Sequence, residues 1–248
     1  MCDERGIIFS TRVSIDGVGE MHNRVRSVKR GFEKANETIR AMKELQKKYA
    51  FNFGISTTIF HTNLDDAENI LAWARSENLD IVFNMVRFTE PMLGNTGLAE
   101  NIAPHGEEEE RMRQFFLDRV RHDSVFDGQN YVYMHYADMI ANGYHRLAPC
   151  PFQTQGIMLN PDGGLFFCEN SEVVGNVKDT DPEELYFSAA SQAHRDAIRD
   201  TKCPTCLSPC QMNVAAIKQV APYAKFLVRA AVEKRRFHHK VALSTAAQ

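Results

Sequence analysis

Apolar and polar residues in the N-terminal part of the chain follow two different spacings. In segment 51–60, apolar or β-branched side chains occupy every second position, which predicts a strand with one buried face. In segment 31–49, apolar side chains recur at steps of three and four, which predicts an amphipathic helix. Segments 6–16 and 80–87 are rich in β-branched and other apolar residues, and we expect strands there too.

A second helix is predicted between the last two of these strands. Asn63 is expected to cap it, with Asp65 and Asp66 in the first turn, where the helix dipole favours negative charge. Strands that alternate with single helices predict a βαβαβ unit and a parallel sheet, so the fold class is α/β. Right-handed crossovers would place both helices on one side of the sheet.

The pattern changes in the rest of the chain. The elements predicted there are, in order, a long loop over 89–106, helices over 107–122 and 129–142, a β-hairpin around Pro161-Asp162-Gly163-Gly164, a helix capped by Asp181, and a long helix from Gln211 bent near Pro222. The hairpin opens a segment that is rich in cysteine.

Composition excludes several classes of protein. A hydrophobic fraction of 44% with 25% charged residues, over 248 residues, is typical of a folded globular chain and excludes global disorder. The net charge of −3 gives no general attraction to nucleic acid. No apolar run approaches the ~18 residues that a membrane span needs. Since the first residues are acidic, unlike a secretory signal, we expect a cytoplasmic protein without membrane or nucleic-acid partners.

Five of the six cysteines lie between positions 150 and 210, namely Cys150, Cys168, Cys203, Cys206 and Cys210. Disulfides are rare in a reducing compartment, so clustered thiols there favour metal binding. The spacing Cys203-x2-Cys206 puts two thiolates on one turn, and the hairpin would bring Cys150 near Cys168. Four of the five could bind a [4Fe–4S] cluster. A structural zinc site, a redox pair or unrelated buried cysteines remain alternatives, and spacing does not separate iron from zinc.

Two groups of motifs together resemble the radical S-adenosylmethionine (radical SAM) enzymes that carry a SPASM-type auxiliary iron–sulfur domain. The cysteine segment resembles that domain in Cys150-x12-Gly163-x4-Cys168, Gly175-Asn176-Val177 and Cys203-x2-Cys206-x3-Cys210. The N-terminal part is similar to the fourth barrel strand of the family in Val13-Ser14-Ile15-Asp16-Gly17, His22-Asn23, Arg26 and Gly31-Phe32-Glu33. The resemblance spans roughly 11–213.

The resemblance implies a specific domain organisation. It consists of the C-terminal half of a partial (βα)6 radical SAM barrel over 1–106, a helical connector over 107–148, a small cysteine-rich α+β SPASM-like iron–sulfur domain over 149–213, and a C-terminal helix and tail over 214–248. The cofactors implied are an auxiliary [4Fe–4S] cluster and S-adenosylmethionine (AdoMet). The family acts on peptides or small molecules by radical chemistry.

The resemblance also implies roles for individual residues. Ser14 and Asp16 would contact the ribose or methionyl part of AdoMet, and Arg26 would neutralise its carboxylate. Further candidates at strand ends for the cofactor or substrate wall are Thr57, Thr58, Asn63, Asn84 and Arg87. Glu169 would take a proton from a substrate radical. The plainer interpretations are a strand end and helix cap for Ser14 and Asp16, a solvated charge for Arg26, and an exposed hairpin carboxylate for Glu169.

One motif of the family is missing. The chain has no C-x3-C-x2-C, which in the family holds the cluster that cleaves AdoMet, and Cys2 alone cannot replace it. We therefore expect an N-terminally truncated or split family member that binds a cluster but is inactive alone. The missing barrel half would be a separate partner chain or a lost segment, and the first strand would expose an edge. The alternative is a non-catalytic zinc- or cluster-binding module that docks on a partner polypeptide.

Overall fold

The computed structural model describes residues 9–89, 94–124, 127–145, 156–168, 171–199 and 220–246, without the side chains of 198, 199, 222 and 236–246. The chain divides into two compact units. The first unit comprises the N-terminal residues up to 86 together with 101–108, and the second comprises 87–100 and the chain from 109 onward.

The first unit is a parallel sheet with crossover helices, as the sequence pattern predicts. Its elements are β1 Ser10–Ser14, α1 Glu20–Arg26, α2 Gly31–Gln46, β2 Asn52–Ile59, α3 Ala67–Ser76 and β3 Asp80–Met85. The strand order is β1-β2-β3, and both pairs are parallel, so β1 has only β2 as a strand partner within the described residues. The α/β class and the parallel sheet are confirmed, but two helices, α1 and α2, lie between β1 and β2, where the sequence pattern predicted one.

The two faces of this sheet differ in burial. On one face Ile55, Ile59, Phe83 and Met85 are almost completely buried, and they form a core with helix residues such as Ile70. On the other face small polar side chains predominate and are only partly buried or exposed: Ser14 pairs with Ser56 in the strand register, and Thr58 pairs with Asn84. Parallel sheets are normally apolar on both faces. The polar face therefore departs from an ordinary buried sheet.

The predicted cap of α3 is wrong. A 3-10 turn, His61–Asp66, precedes the helix, which begins at Ala67 with Asp66 at its N-cap position. Asn63 lies inside the turn, and its Oδ1 accepts the N–H of Phe60 at the start of the turn, while no side chain caps α3.

The second unit contains helices and a small antiparallel sheet. Its elements are α4 Ala99–Ile102, α5 Glu107–His122, α6 Gly128–Ala141, β4 Met158–Leu159, β5 Gly164–Phe166, β6 Gly175–Asn176, α7 Pro182–Phe187, α8 Ala189–Arg199 and α9 Val220–Ala246; α4 and the first two residues of α5 continue across the boundary between the units. The hairpin β4–β5 and the helix capped by Asp181 are confirmed, whereas β6, α8 and the short helix α4, which lies in the predicted loop 89–106, were not predicted. The predicted start of the last helix near Gln211 lies outside the described residues.

Aromatic packing holds the helices of the second unit together. Phe116 of α5 contacts Tyr136 of α6 with ring centroids 5.0 Å apart. Tyr131 of α6 contacts Phe226 of α9 at 5.2 Å, and Arg229 of α9 forms a bidentate ion pair with Asp138 of α6. Because these contacts bury large side chains, they account for α9 packing on α6.

Candidate functional site

Asp16 lies two residues after the end of β1, at the carboxyl end of the parallel sheet, where α/β folds bind ligands. Its side chain is 5% exposed. One carboxylate oxygen, Oδ1, accepts the Thr58 backbone N–H at 2.9 Å, and the other, Oδ2, is 2.5 Å from the Arg26 guanidinium. The carboxylate therefore connects the end of β1 to β2 and to the last turn of α1.

The loop after Asp16 is tight. The Asp16 N–H donates to Nδ1 of His22 at 3.1 Å, and the Val18 N–H donates to Asp66 Oδ2 at 2.8 Å. A Cβ on Gly17 would lie 2.6 Å from the backbone nitrogen of His22, so this position requires glycine. Burial lowers the pKa of His22 below its ordinary value, against the opposing effect of the Asp16 charge.

Asn63 joins the two loops that form the site. Its Nδ2 donates to the backbone oxygens of Asp16 at 3.1 Å and Thr58 at 2.8 Å, while its Oδ1 accepts the Phe60 N–H at 3.0 Å. The side chain is fully buried. This geometry makes Asn63 a residue that positions Asp16 and Thr58, and its predicted contact with a cofactor stays a prediction.

Ser14 and Thr57 lie on opposite faces of the sheet. The Thr57 hydroxyl is buried and donates to the Ile15 carbonyl at 2.6 Å. Ser14 is exposed on the polar face, where the strand register places Ser56 beside it. A ligand on the polar face would meet Ser14, Ser56 and Thr58 before Thr57.

Arg26 forms an ion pair and is still accessible to solvent. It lies in the last turn of α1, and 42% of its side chain is exposed although it pairs with Asp16. The interpretation as a purely solvated charge is therefore wrong. An exposed guanidinium beside a buried carboxylate can still receive a carboxylate or phosphate of a ligand.

The described part of the cysteine segment contains Cys168, which lies two residues after the end of β5. Ser171 fixes the turn that follows: its Oγ accepts the N–H groups of Phe167 and Cys168 at 3.0 and 3.1 Å and donates to the Cys168 carbonyl at 3.0 Å. The predicted ligands Cys150, Cys203, Cys206 and Cys210 and the predicted base Glu169 lie outside the described residues. In the described residues alone, no group of three potential metal ligands occurs.

Gly163 and Asn176, two residues of the SPASM-like motif, lie against each other at the turn of the hairpin. Gly163 has φ +91°, and a Cβ there would lie 2.7 Å from Oδ1 of Asn176. The Asn176 amide donates to the Asp162 carbonyl at 3.1 Å. A Cβ on Gly175 would collide with the buried side chain of Leu185. Packing and hydrogen bonding in the small sheet therefore explain these motif residues, whether or not a metal is bound.

Several residues of the site were missed by sequence reasoning. The ring of His22 and the carboxylate of Asp66 were not predicted to hold the Asp16 loop, and Ser56 was not named beside Ser14. The signal for Ser56 was available, since every second residue of the predicted strand 51–60 lies on the face opposite to the apolar side chains. No spacing rule would have paired His22 with the Asp16 backbone.

No family model matches this chain, and no curated protein sequence matches it significantly. Among solved structures, the chain is similar to a hexahistidine-tagged anSMEcpe with bound AdoMet, with a TM-score of 0.48 and 13% sequence identity. The match covers 95% of this chain and 70% of that chain. Among the described helices, none combines the length and apolar character that crossing a membrane requires.

Proposed function

We propose that the chain is a radical SAM/SPASM-type protein that binds AdoMet at the carboxyl ends of its parallel strands and an auxiliary [4Fe–4S] cluster in its cysteine segment. One observation carries the proposal. Asp16, which the motif resemblance assigns to AdoMet, is a nearly buried carboxylate held at the ligand-binding edge of a parallel sheet by a neighbouring strand and by Arg26.

The residues at this edge fit the chemistry of AdoMet. Its ribose hydroxyls and ammonium are hydrogen-bond donors, which suit the carboxylate of Asp16, and its carboxylate suits the exposed guanidinium of Arg26. Ser14 and Ser56 add hydroxyl groups on the polar face of the sheet. When bound, AdoMet would supply a sulfonium centre that can be cleaved by reduction. The protein's contribution is to bind and orient it.

The thiols fit an iron–sulfur cluster by their chemistry. Cys168 is partly exposed two residues after β5, and both its backbone N–H and its carbonyl are hydrogen-bonded to the Ser171 hydroxyl. The other four cysteines of the segment would complete the ligand set with one thiol to spare. When bound, the cluster would supply one-electron transfer or a site for substrate.

A partner polypeptide is part of the proposal. The sequence has no C-x3-C-x2-C, so the chain alone is expected to bind AdoMet without cleaving it. The even-numbered residues of β1 turn their backbone groups away from β2, because Phe9 and Ile15 make the hydrogen bonds to that strand. Within the described residues no strand covers this outer edge. A strand of a partner chain that carries the missing motif would pair there.

Anaerobic reconstitution tests the proposal. We expect about four irons per chain from a single cluster, AdoMet binding by calorimetry, and no 5′-deoxyadenosine from AdoMet under reduction. Colourless protein with one zinc would reject the cluster and support the alternative, a zinc-binding module that docks on a partner through the β1 edge. Turnover of AdoMet by the isolated chain would reject the need for a partner.

A further inference from the structure

We propose that His22 is a positioning residue of the AdoMet site: the unprotonated Nδ1 of its ring holds the backbone N–H of Asp16, and protonation of the ring releases the Asp16 carboxylate from its binding orientation. The part that concerns ligand affinity rests on the proposed function. The part that concerns the loop rests on the geometry alone.

The contact between His22 and Asp16 is short and excluded from water. The Asp16 N–H donates to Nδ1 at 3.1 Å, and His22 is 4% exposed. Because Gly17 allows the chain to turn within a space where a Cβ would collide with Met21 and His22, the ring lies against the backbone of Asp16. An unsatisfied buried N–H is costly, so the ring nitrogen stabilises this loop.

The ring of His22 also packs against α2. The Phe32 ring of α2 lies 6.0 Å from the ring of His22, and a Cβ on Gly31 would lie 3.5 Å from its Cδ2. The Phe32 N–H in turn donates to the Asn23 side chain at 2.8 Å, which connects α1 to α2. The ring of His22 therefore lies between the Asp16 backbone and α2.

Two charged groups act on the ring. Burial has the largest effect and lowers the pKa of His22, while the carboxylate of Asp16 raises it and the guanidinium of Arg26 lowers it. His22 is therefore neutral near pH 7. Only the neutral ring has a lone pair on Nδ1 that can accept the Asp16 N–H.

Protonation of His22 would place two N–H donors against each other, on Nδ1 and on the Asp16 backbone. The loop must then open, and the same loop holds the Asp16 carboxylate beside the Thr58 N–H and Arg26. Because the pKa of His22 is lowered, the binding-competent form persists below the ordinary value of ~6.5. AdoMet affinity is expected to be constant above that value and to fall as the pH decreases through the pKa of His22.

Three substitutions separate positioning from mere packing. His22→Asn places an amide oxygen near the position of Nδ1 and does not titrate. His22→Gln places its amide near the position of Nε2 instead, and His22→Ala removes the ring. Calorimetric titration of the whole chain with AdoMet at several pH values between 7.5 and about 5 gives the affinities, and circular dichroism shows whether each variant is folded.

We expect a tenfold or larger loss of AdoMet affinity at pH 7 for His22→Gln and His22→Ala, as for one buried hydrogen bond of about 1.4 kcal/mol. His22→Asn should stay within about threefold of the unsubstituted chain. It should also lose the fall of affinity at acid pH. Equal affinity of the Asn and Gln variants, or an unchanged pH profile for His22→Asn, would overturn the proposal.

Nitrogen-15 NMR of the whole chain tests the loop without ligand. At pH 7 the ring of His22 should be neutral with its proton on Nε2, and the Asp16 amide resonance should shift with the same midpoint as His22 on acidification. A neutral ring protonated on Nδ1 would reject the positioning role whatever the chain binds. If no AdoMet binds while the two titrations coincide, the proposed function fails and the role of His22 in the loop stands.

Discussion

The guanidinium of Arg12 reaches Asp80 across the middle strand of the parallel sheet, with 2.5 Å between Nη2 and Oδ2. Its Nη1 donates to the Ile55 carbonyl at 3.1 Å on the way. The side chain passes over Gly54, whose register partners are Arg12 in β1 and Asp80 in β3. One arginine therefore connects all three strands near their amino ends, opposite the Asp16 site.

Replacing the glycine under this arginine should destabilise the first unit. In Gly54→Ala the new Cβ would lie 2.5 Å from the Asp80 carbonyl oxygen and 2.8 Å from Arg12 Nη1. The backbone oxygen cannot move away cheaply, so we expect a loss of about 1–3 kcal/mol in the free energy of unfolding, measured with denaturant. Gly97→Ala is the matched control, because its Cβ meets no atom within 4 Å. Equal stabilities of the two variants would contradict this account.

The ion pair between Arg12 and Asp80 should contribute less to the free energy of unfolding than the close packing above Gly54. Asp80 is 66% exposed in its side chain and Arg12 34%, so solvent screens their attraction. We expect Asp80→Asn to cost at most about 1 kcal/mol, measured with denaturant under the same conditions. A larger cost for Asp80→Asn than for Gly54→Ala would show that charge, and not steric fit, decides at this position.

Asn63 should be the most sensitive position of the site for stability. Asn63→Ala leaves the Phe60 N–H and the carbonyls of Asp16 and Thr58 without their partner, and we expect a loss of about 2–4 kcal/mol in the free energy of unfolding. Asn69→Ala, an exposed residue with one hydrogen bond, serves as the control and should cost less than about 1 kcal/mol. Similar losses for both variants would refute the role given to Asn63.

The spacing of apolar side chains predicted the strands of the first unit and their order along the chain. This was possible because a period of two residues for a strand and of 3.6 for a helix can be recognised within one short segment. The same alternation predicted that Thr57 and Ser56 lie on opposite faces. It could not predict that Asn63 bonds across to Asp16, since that contact joins residues 47 positions apart and depends on how two loops fold together. Asn63 was placed at a helix cap because capping is the commonest local use of asparagine, and a tertiary contact overrode it.

The pairing of Asp16 with Arg26 was missed for a related reason. Both residues were assigned to a ligand one at a time, and nothing in their spacing indicates that they meet, because α1 begins only after the Gly17 turn. The hairpin was predictable, since its turn residues require specific backbone angles and Gly163 has φ +91°. The third strand of that sheet, Gly175–Asn176, is too short to leave a periodic signal.

Asp16→Asn tests what the Asp16 charge contributes to ligand binding. The amide keeps an oxygen for the Thr58 N–H, but its NH2 group would face the Arg26 guanidinium, which is 42% exposed and can turn toward water. We therefore expect a loss of about 1–3 kcal/mol in the free energy of unfolding and a loss of roughly 10–100-fold in AdoMet affinity by calorimetry. Unchanged affinity would remove Asp16 from the proposed site, while strong destabilisation would make its role structural.

Ser171 is expected to stabilise the hairpin and to help the chain retain a metal at Cys168. Ser171→Ala removes the acceptor of two backbone N–H groups, on Phe167 and Cys168, and a donor to the Cys168 carbonyl. Since Ser171 is 4% exposed, water cannot replace these bonds fully, and we expect a loss of about 1–3 kcal/mol in the free energy of unfolding.

The same variant should retain less iron than the unsubstituted chain after anaerobic reconstitution and gel filtration, because the backbone that presents the Cys168 thiol is no longer fixed. Val173→Ala, at a side chain that is 52% exposed, is the control and should retain iron normally. Full iron content in Ser171→Ala together with the expected destabilisation would mean that the turn stabilises the hairpin without orienting the thiol. Loss of iron in Val173→Ala as well would show that the metal site depends on the small sheet as a whole and not on the Ser171 turn.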